Sequence, residues 1–268
     1  MERQAAVAGH FYPADEASLR RELARCIPPT TGEGKRAVAV ISPHAGYIYS
    51  GAVAGETLAA VRIPETVLIM GPSHHGRGAP AALMTEGSWR LPLGTVSIDT
   101  DFARSLLTQT SLLTDDSEAH RFEHSLEVQV PFLMYRNPGV RIVPLLLGSL
   151  SLADCETIGT AIAAAIKSHG SDVLIVASSD MSHYESRANA TAKDRLAIDR
   201  ILAIDPEGLY QTVLSNRITM CGFIPATIAL FAARGLGAKE AELIRYTDSG
   251  DTSGDTTQVV GYAGLVIG

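Results

Sequence analysis

The stretch Ala37-Val38-Ala39-Val40-Ile41-Ser42-Pro43-His44-Ala45-Gly46-Tyr47 decides the fold. Its first five residues are a continuous apolar run of β type. A strand with one face in water alternates apolar and polar residues. A run without alternation predicts a strand covered on both faces, the habit of parallel sheets flanked by helices. Val67-Leu68-Ile69-Met70 and Val173-Leu174-Ile175-Val176-Ala177 repeat the pattern. Residues 141–147 predict a further strand, in which Pro144 removes a ladder donor and so implies an edge position or a bulge. Between these runs the apolar residues follow helical spacing, at 17–27, 51–61 and 101–109. Ser151-Leu152-Ala153-Asp154 resembles a capping box. Behind it, Leu152, Cys155, Ile158, Ile162, Ala165 and Ile166 share one helical face. Helices are expected near 188–203, 206–216 and 222–234, and a closing strand over 258–267. Gly32 and Gly34 mark a loop, and 79–99 reads as irregular with weak strands near 82–83 and 95–98. There is no internal repeat and no low-complexity linker. The prediction is one α/β domain over residues 1–268, with a central, mostly parallel sheet covered by helices.

The 268 residues are 46% hydrophobic and 19% charged, with a net charge of −7. That length supports a large core, and the charge shows no block of Lys and Arg. Neither a nucleic-acid nor an anionic-membrane role is expected. No signal peptide or transmembrane stretch is read, because the apolar runs are of strand length. Cys26, Cys155 and Cys221 are widely spaced with no CxxC, which predicts reduced thiols in a cytoplasm.

The eight histidines are more informative. In open α/β sheets, ligands bind beyond the carboxyl ends of the strands. Three buried runs end in Ser42-Pro43-His44-Ala45-Gly46-Tyr47, Gly71-Pro72-Ser73-His74-His75-Gly76 and Ser178-Ser179-Asp180-Met181-Ser182-His183. Three strands thus deliver His44, His74 and His183 to one edge. Imidazole is the commonest metal ligand, and converging imidazoles suit iron, zinc or copper. Asp180 could ligate a metal, orient a histidine, act as a base, or cap the segment that follows it. Glu123-His124-Ser125-Leu126-Glu127 is a further polar candidate. His124 and Glu127 share a face if this segment is helical but not if it is a strand, and the alternation of Leu126, Val128 and Val130 leaves both open. Cys221 stands before a predicted helix, where the dipole favours a thiolate. The alternative is a small buried apolar side chain.

Taken together and in order, these segments resemble the MEMO family, whose prokaryotic branch is called AmmeMemoRadiSam system protein B. The matching segments are Ala6-Val7-Ala8-Gly9-His10-Phe11-Tyr12-Pro13, those around His44, His74, Glu123-His124-Ser125-Leu126-Glu127 and Asp180, and Cys221-Gly222. They span nearly the whole chain. The resemblance implies a fold like that of class III extradiol dioxygenases of the LigB type, which hold non-haem iron with two histidines and a carboxylate. Carried over, it implies His44, His74 and Cys221 as metal ligands and His183 and Asp180 as the proton-handling pair. His75, Glu123, His124 and Glu127 would line the pocket. A thiol stands where the dioxygenases have a carboxylate, and thiolate suits Cu(I) or Zn as well as Fe.

Three functions follow as expectations. One is a metal-dependent redox enzyme acting on a small molecule. Another is a non-enzymatic adaptor that binds a peptide or a metal in the same pocket, with Arg77 and Arg121 as nearby basic residues. The third is a zinc-assisted hydrolase with Glu123, Glu127 or Asp180 as base. The family name further implies work beside AMMECR1-type and radical SAM proteins.

Overall fold

The computed structural model describes residues 1–29, 32 and 34–268. In chain order its strands are β1 (Glu2–Gln4), β2 (Ala39–Ser42), β3 (Thr66–Pro72), β4 (Ala81–Leu83), β5 (Ser88–Leu91), β6 (Gly94–Ser97), β7 (Thr114–Asp115), β8 (Arg141–Leu147), β9 (Val173–Ser178), β10 (His183–Glu185), β11 (Ala241–Asp248) and β12 (Val259–Ile267). The apolar runs become the middle of a mixed sheet. There β2, β9, β3 and β8 lie side by side and parallel. Every residue of β2, β3 and β9 is buried, as unbroken apolar runs require. On one side β12 runs antiparallel to β2, with β11 and the short β10 paired to β12. On the other, β4 runs antiparallel to β8 and carries β7. A small second sheet, β1-β5-β6, packs beside β8, with an isolated bridge from Ile98 to Ile142 and with Trp89, Leu91 and Val96 in the shared core.

Pro144 needs correcting. Its strand is interior, not an edge, with β3 and β4 on either side. The last paired residue of β4 is Leu83, opposite Leu145, and the Met84 amide donates to the Pro144 carbonyl. The missing proline N–H therefore falls where the short neighbour is already leaving. Strands β1, β5, β7, β10 and β11 were not expected from the sequence; each is short or mixes polar and apolar residues.

The helices are α1 (Glu16–Cys26), α2 (Tyr47–Ala59), α3 (Thr100–Leu107), α4 (Val130–Arg136), α5 (Leu152–His169), α6 (Arg187–Leu202), α7 (Pro206–Ser215), α8 (Phe223–Gly235) and α9 (Gly250–Ser253). Side chains cap many of them. Asp15, Asp99, Ser186 and Asp205 each accept from an amide of the first turn, and Ser151 with Asp154 completes the expected capping box. Helix α8 is buried at every position from Ile224 to Ala233, so it has no solvent face and packs between the sheet and α5. The ambiguous segment at 127–136 resolves as a 3₁₀ turn (Glu127–Gln129) running into α4, with Pro131 in the first turn. Its alternation could not decide between helix and strand because both parities are buried, Glu127 and Gln129 included. Among the described residues no helix is long and apolar enough to cross a membrane.

Candidate metal centre

Because β2, β9 and β3 are adjacent and parallel, their carboxyl ends open on one edge of the sheet. His44 and Asp180 each stand two residues beyond their strands, β2 and β9, and His74 stands two beyond β3. Cys221 arrives from the other direction, just ahead of α8. Its neighbour Gly222 lies so close to the end of β9 that a Cβ there would overlap the Ser178 carbonyl and the Ser179 side chain. The Gly222 amide donates to Ser179 Oγ at 3.0 Å, and the Asp180 amide donates to Cys221 Sγ at 3.3 Å. One ligand atom from each of His44, His74 and Cys221 falls within 4.8 Å of the others.

Hydrogen bonds decide which imidazole nitrogen faces inward. The Ser178 hydroxyl donates to the Ser125 carbonyl at 2.6 Å and accepts from Gln129 Nε2 at 2.9 Å. Its remaining lone pair accepts from His44 Nδ1 at 2.9 Å. His44 is thereby protonated on Nδ1 and presents a bare Nε2, 3.3 Å from Cys221 Sγ. His74 Nδ1 donates to the Glu123 carboxylate at 2.8 Å, which frees its Nε2 in the same way. This is how metal-binding histidines are held: the outer nitrogen is bonded and the inner one is available. Burial and the neighbouring His74 push His44 down to about 3, so it stays neutral.

Glu123 anchors its loop, and with His74 and His124 it forms a second group whose ligand atoms lie within 4.8 Å of one another. Its carboxylate takes the amides of His74, His124 and Ser125 as well as the His74 ring. Burial alone would raise its pKa. The His74 ring and the amide donors outweigh that and hold it well below the usual carboxylate range. His124 stacks on His74 at 4.4 Å and stands edge-on to His44 at 5.6 Å; burial brings it down to about 4. Asp180 Oδ1 accepts from the His44 amide at 2.8 Å, and burial nevertheless raises its pKa. Burial also pushes the Cys221 thiol well above its ordinary value. The helix start does not overcome desolvation there, so a thiolate needs a cation beside it.

The sequence matches the Memo-like protein family over residues 3–266. This chain belongs to that family. MEMO1 family proteins of Methanopyrus kandleri and Methanothermobacter thermautotrophicus are each 42% identical to it, over 99% of this chain and at least 99% of theirs. That of Methanosarcina acetivorans is 38% identical over 99% of this chain. Among solved structures, an uncharacterized Escherichia coli K12 protein, JW3007, has a similar fold, with a TM-score of 0.56 at 16% identity, covering 87% of this chain and 100% of that one.

In this Memo-like chain the expected site residues do not all converge. His44, His74, Cys221, Asp180, Glu123 and His124 cluster as described. His183 is half-buried at the margin, its Nδ1 donating to the Thr219 carbonyl at 3.0 Å. His75 is exposed and bonds the Phe122 carbonyl through Nε2 at 3.1 Å. Glu127 turns the other way. Its two oxygens accept from Arg3, Tyr12 and the amides of Ala6 and Val7, so it ties down the N-terminal segment. Ser178, Gln129 and Thr219 orient the histidines and were not singled out in the sequence. A polar Gln129 inside an apolar run was the one signal available.

Proposed function

We propose that this protein binds a metal ion through His44 Nε2, His74 Nε2 and Cys221 Sγ and uses it in redox chemistry on a small molecule. The carrying observation is the donor set itself: two imidazoles fixed with Nε2 inward and one thiol, within 4.8 Å of one another, at the sheet edge where α/β proteins bind ligands. The set fits a borderline or soft cation such as iron, copper or zinc. Bound there, such an ion supplies Lewis acidity and, if iron or copper, one-electron chemistry. The protein's own contribution is orientation, with Asp180 bonded to the His44 amide and His183 at the margin in place to move a proton. The resemblance to the MEMO family, and through it to extradiol dioxygenases, supports this reading over zinc-assisted hydrolysis; Glu123 and Glu127 are fully engaged as acceptors, which leaves Asp180 as the base candidate for that second reading.

The test is metal analysis after anaerobic loading with Fe(II), Cu(I) or Zn, followed by oxygen uptake with a panel of small aromatic and polar compounds. One equivalent of metal in the wild type, lost in His44→Ala and Cys221→Ser, supports the reading. No retained metal with any of the three ions removes it. Metal retention with neither oxygen uptake nor hydrolysis of an ester and amide panel would favour an adaptor or metal-holding role. Co-purification with AMMECR1-type and radical SAM proteins would test the partners that the family name implies.

A further inference from the structure

The loop that carries Glu123 is gripped from behind by a buried charge. Arg3, on β1, is only 5% exposed, and a guanidinium is rarely buried so far without partners. Its fork is fully used. Nε donates to the His120 carbonyl, Nη1 to Glu127 Oε2 and Nη2 to the Glu123 carbonyl, each at 2.7 Å. The pairing of β1 with β5 sets Arg3 opposite Trp89, and the guanidinium carbon lies over that ring at 4.2 Å. Glu127 is fully buried, and besides Arg3 it takes the Tyr12 hydroxyl at 2.6 Å and the Ala6 and Val7 amides at 2.8 and 3.1 Å. These three acceptors of Arg3 all belong to residues 120–127. The two ends of Glu123 therefore face opposite ways. Its carbonyl meets Arg3, while its carboxylate takes the His74 amide and ring nitrogen on the side of the metal donors. Two hydrogen bonds separate the guanidinium from an imidazole whose Nε2 is free only while its Nδ1 stays on that carboxylate. With every nitrogen of Arg3 bonded inside the protein, it acts on the site only through the loop it holds. Stability is a poor explanation for the pair, since the desolvation of two buried ions offsets much of their attraction.

We infer that Arg3, paired with Glu127, is a positioning residue for the strand-end site: it fixes the main chain at Glu123 so that the Glu123 carboxylate keeps His74 protonated on Nδ1 with Nε2 facing the other donors. Lysine is no substitute. Its single ammonium lacks the planar fork that meets one carboxylate and two carbonyls at once. The inference rests on reading the strand-end cluster as a metal centre, and the state of His74 in metal-free protein tests it apart from that reading.

The proteins to compare are the wild type, Arg3→Lys, Glu127→Gln and, as a control, Arg141→Lys. Arg141 pairs with the buried Asp99 at 3.3 Å at the start of β8, on the sheet edge opposite the site. Proton–nitrogen correlation spectra of the full chain without metal report the His74 tautomer. Titration with Co(II), followed by its visible bands, reports Kd. The wild type and the control should share one Kd and show His74 protonated on Nδ1. Arg3→Lys should show mixed His74 tautomers and a Kd raised about tenfold, the scale of losing an outer support of a metal ligand. Glu127→Gln, which turns an amide toward the guanidinium, should move both readouts the same way, and it carries the comparison if Arg3→Lys does not fold. A merely structural role would lower Tm and leave both readouts alone. An unchanged His74 signal in the two variants would overturn the inference, as would an unchanged Kd or an equal effect in Arg141→Lys. A wild type that binds no Co(II), with the His74 effect intact, would count against the metal reading and leave the positioning role standing.

Discussion

An imidazole has two nitrogens, and at His44 and His74 the same one is already engaged. Ser178 and Glu123 hold Nδ1, so the pair of free Nε2 atoms is a property of residues that are not themselves ligands. Glu123→Gln should therefore weaken metal binding 10- to 100-fold without removing a ligand. It leaves one of the carboxylate's several donors facing an amide N–H. Competition with a chromogenic chelator measures this, and an unchanged affinity would reduce Glu123 to a loop anchor. Tyr184 makes the opposite case. Tyr184→Gly removes a whole ring, yet stability should hold or rise by up to about 1 kcal/mol, because left-handed strain at a non-glycine costs roughly 1–3 kcal/mol. Urea unfolding checks it, and a loss above about 1 kcal/mol would mean that the ring packs on its neighbours. At this scale the sequence was legible where chemistry follows a strand end. His44 and His74 could be found that way. Ser178, Gln129 and Thr219 could not, since their roles depend on partners brought near only by the fold. Glu127 was misleading for the same reason: its neighbours in sequence belong to the site, while its own carboxylate faces residues 3–12.

Elements set how closely the donors approach. Cys221 reaches His44 only because α8 begins against the end of β9, and that contact leaves no room for a side chain at Gly222. Gly222→Ala should push the start of α8 outward and cost about 1–3 kcal/mol in overpacking. It should also lower metal affinity more than its stability loss accounts for. Retained metal affinity in a folded Gly222→Ala protein would show that the helix start is not what places the thiol. Unbroken apolar runs made β2, β3 and β9 plain in advance, because burial on both faces leaves no alternative composition. The edge strand β11 was not plain. Its residues are mostly half-buried, so polar Glu242, Arg245 and Thr247 interrupt the pattern. Pro144 shows a different limit: whether a proline is tolerated inside a sheet depends on where the neighbouring strand stops, and that is a tertiary fact.

Across the whole molecule, two buried histidines and one half-buried histidine favour the neutral form. His120, buried and close to Arg3, is pushed down to about 4, as is His124, while His44 is lower still. A folded pKa below the ordinary value of a histidine means that the unfolded chain binds the extra proton. Stability is then complete above about pH 6.5 and is lost as pH falls through about 4, by roughly 3 kcal/mol for His120 alone. Urea midpoints of metal-free protein should fall steeply over that window. His120→Gln, which can still donate to the Ala82 carbonyl that His120 Nε2 bonds at 3.0 Å, should flatten the slope by about one proton. An identical slope in the variant would move the acid sensitivity elsewhere. The most direct test of the account is X-ray absorption at the metal edge of the loaded protein. It should show two imidazole nitrogens and one sulfur at about 2.3 Å, with the sulfur shell abolished in Cys221→Ser and the imidazole signal reduced in His44→Ala. A shell of nitrogen and oxygen alone, unchanged in both variants, would contradict it.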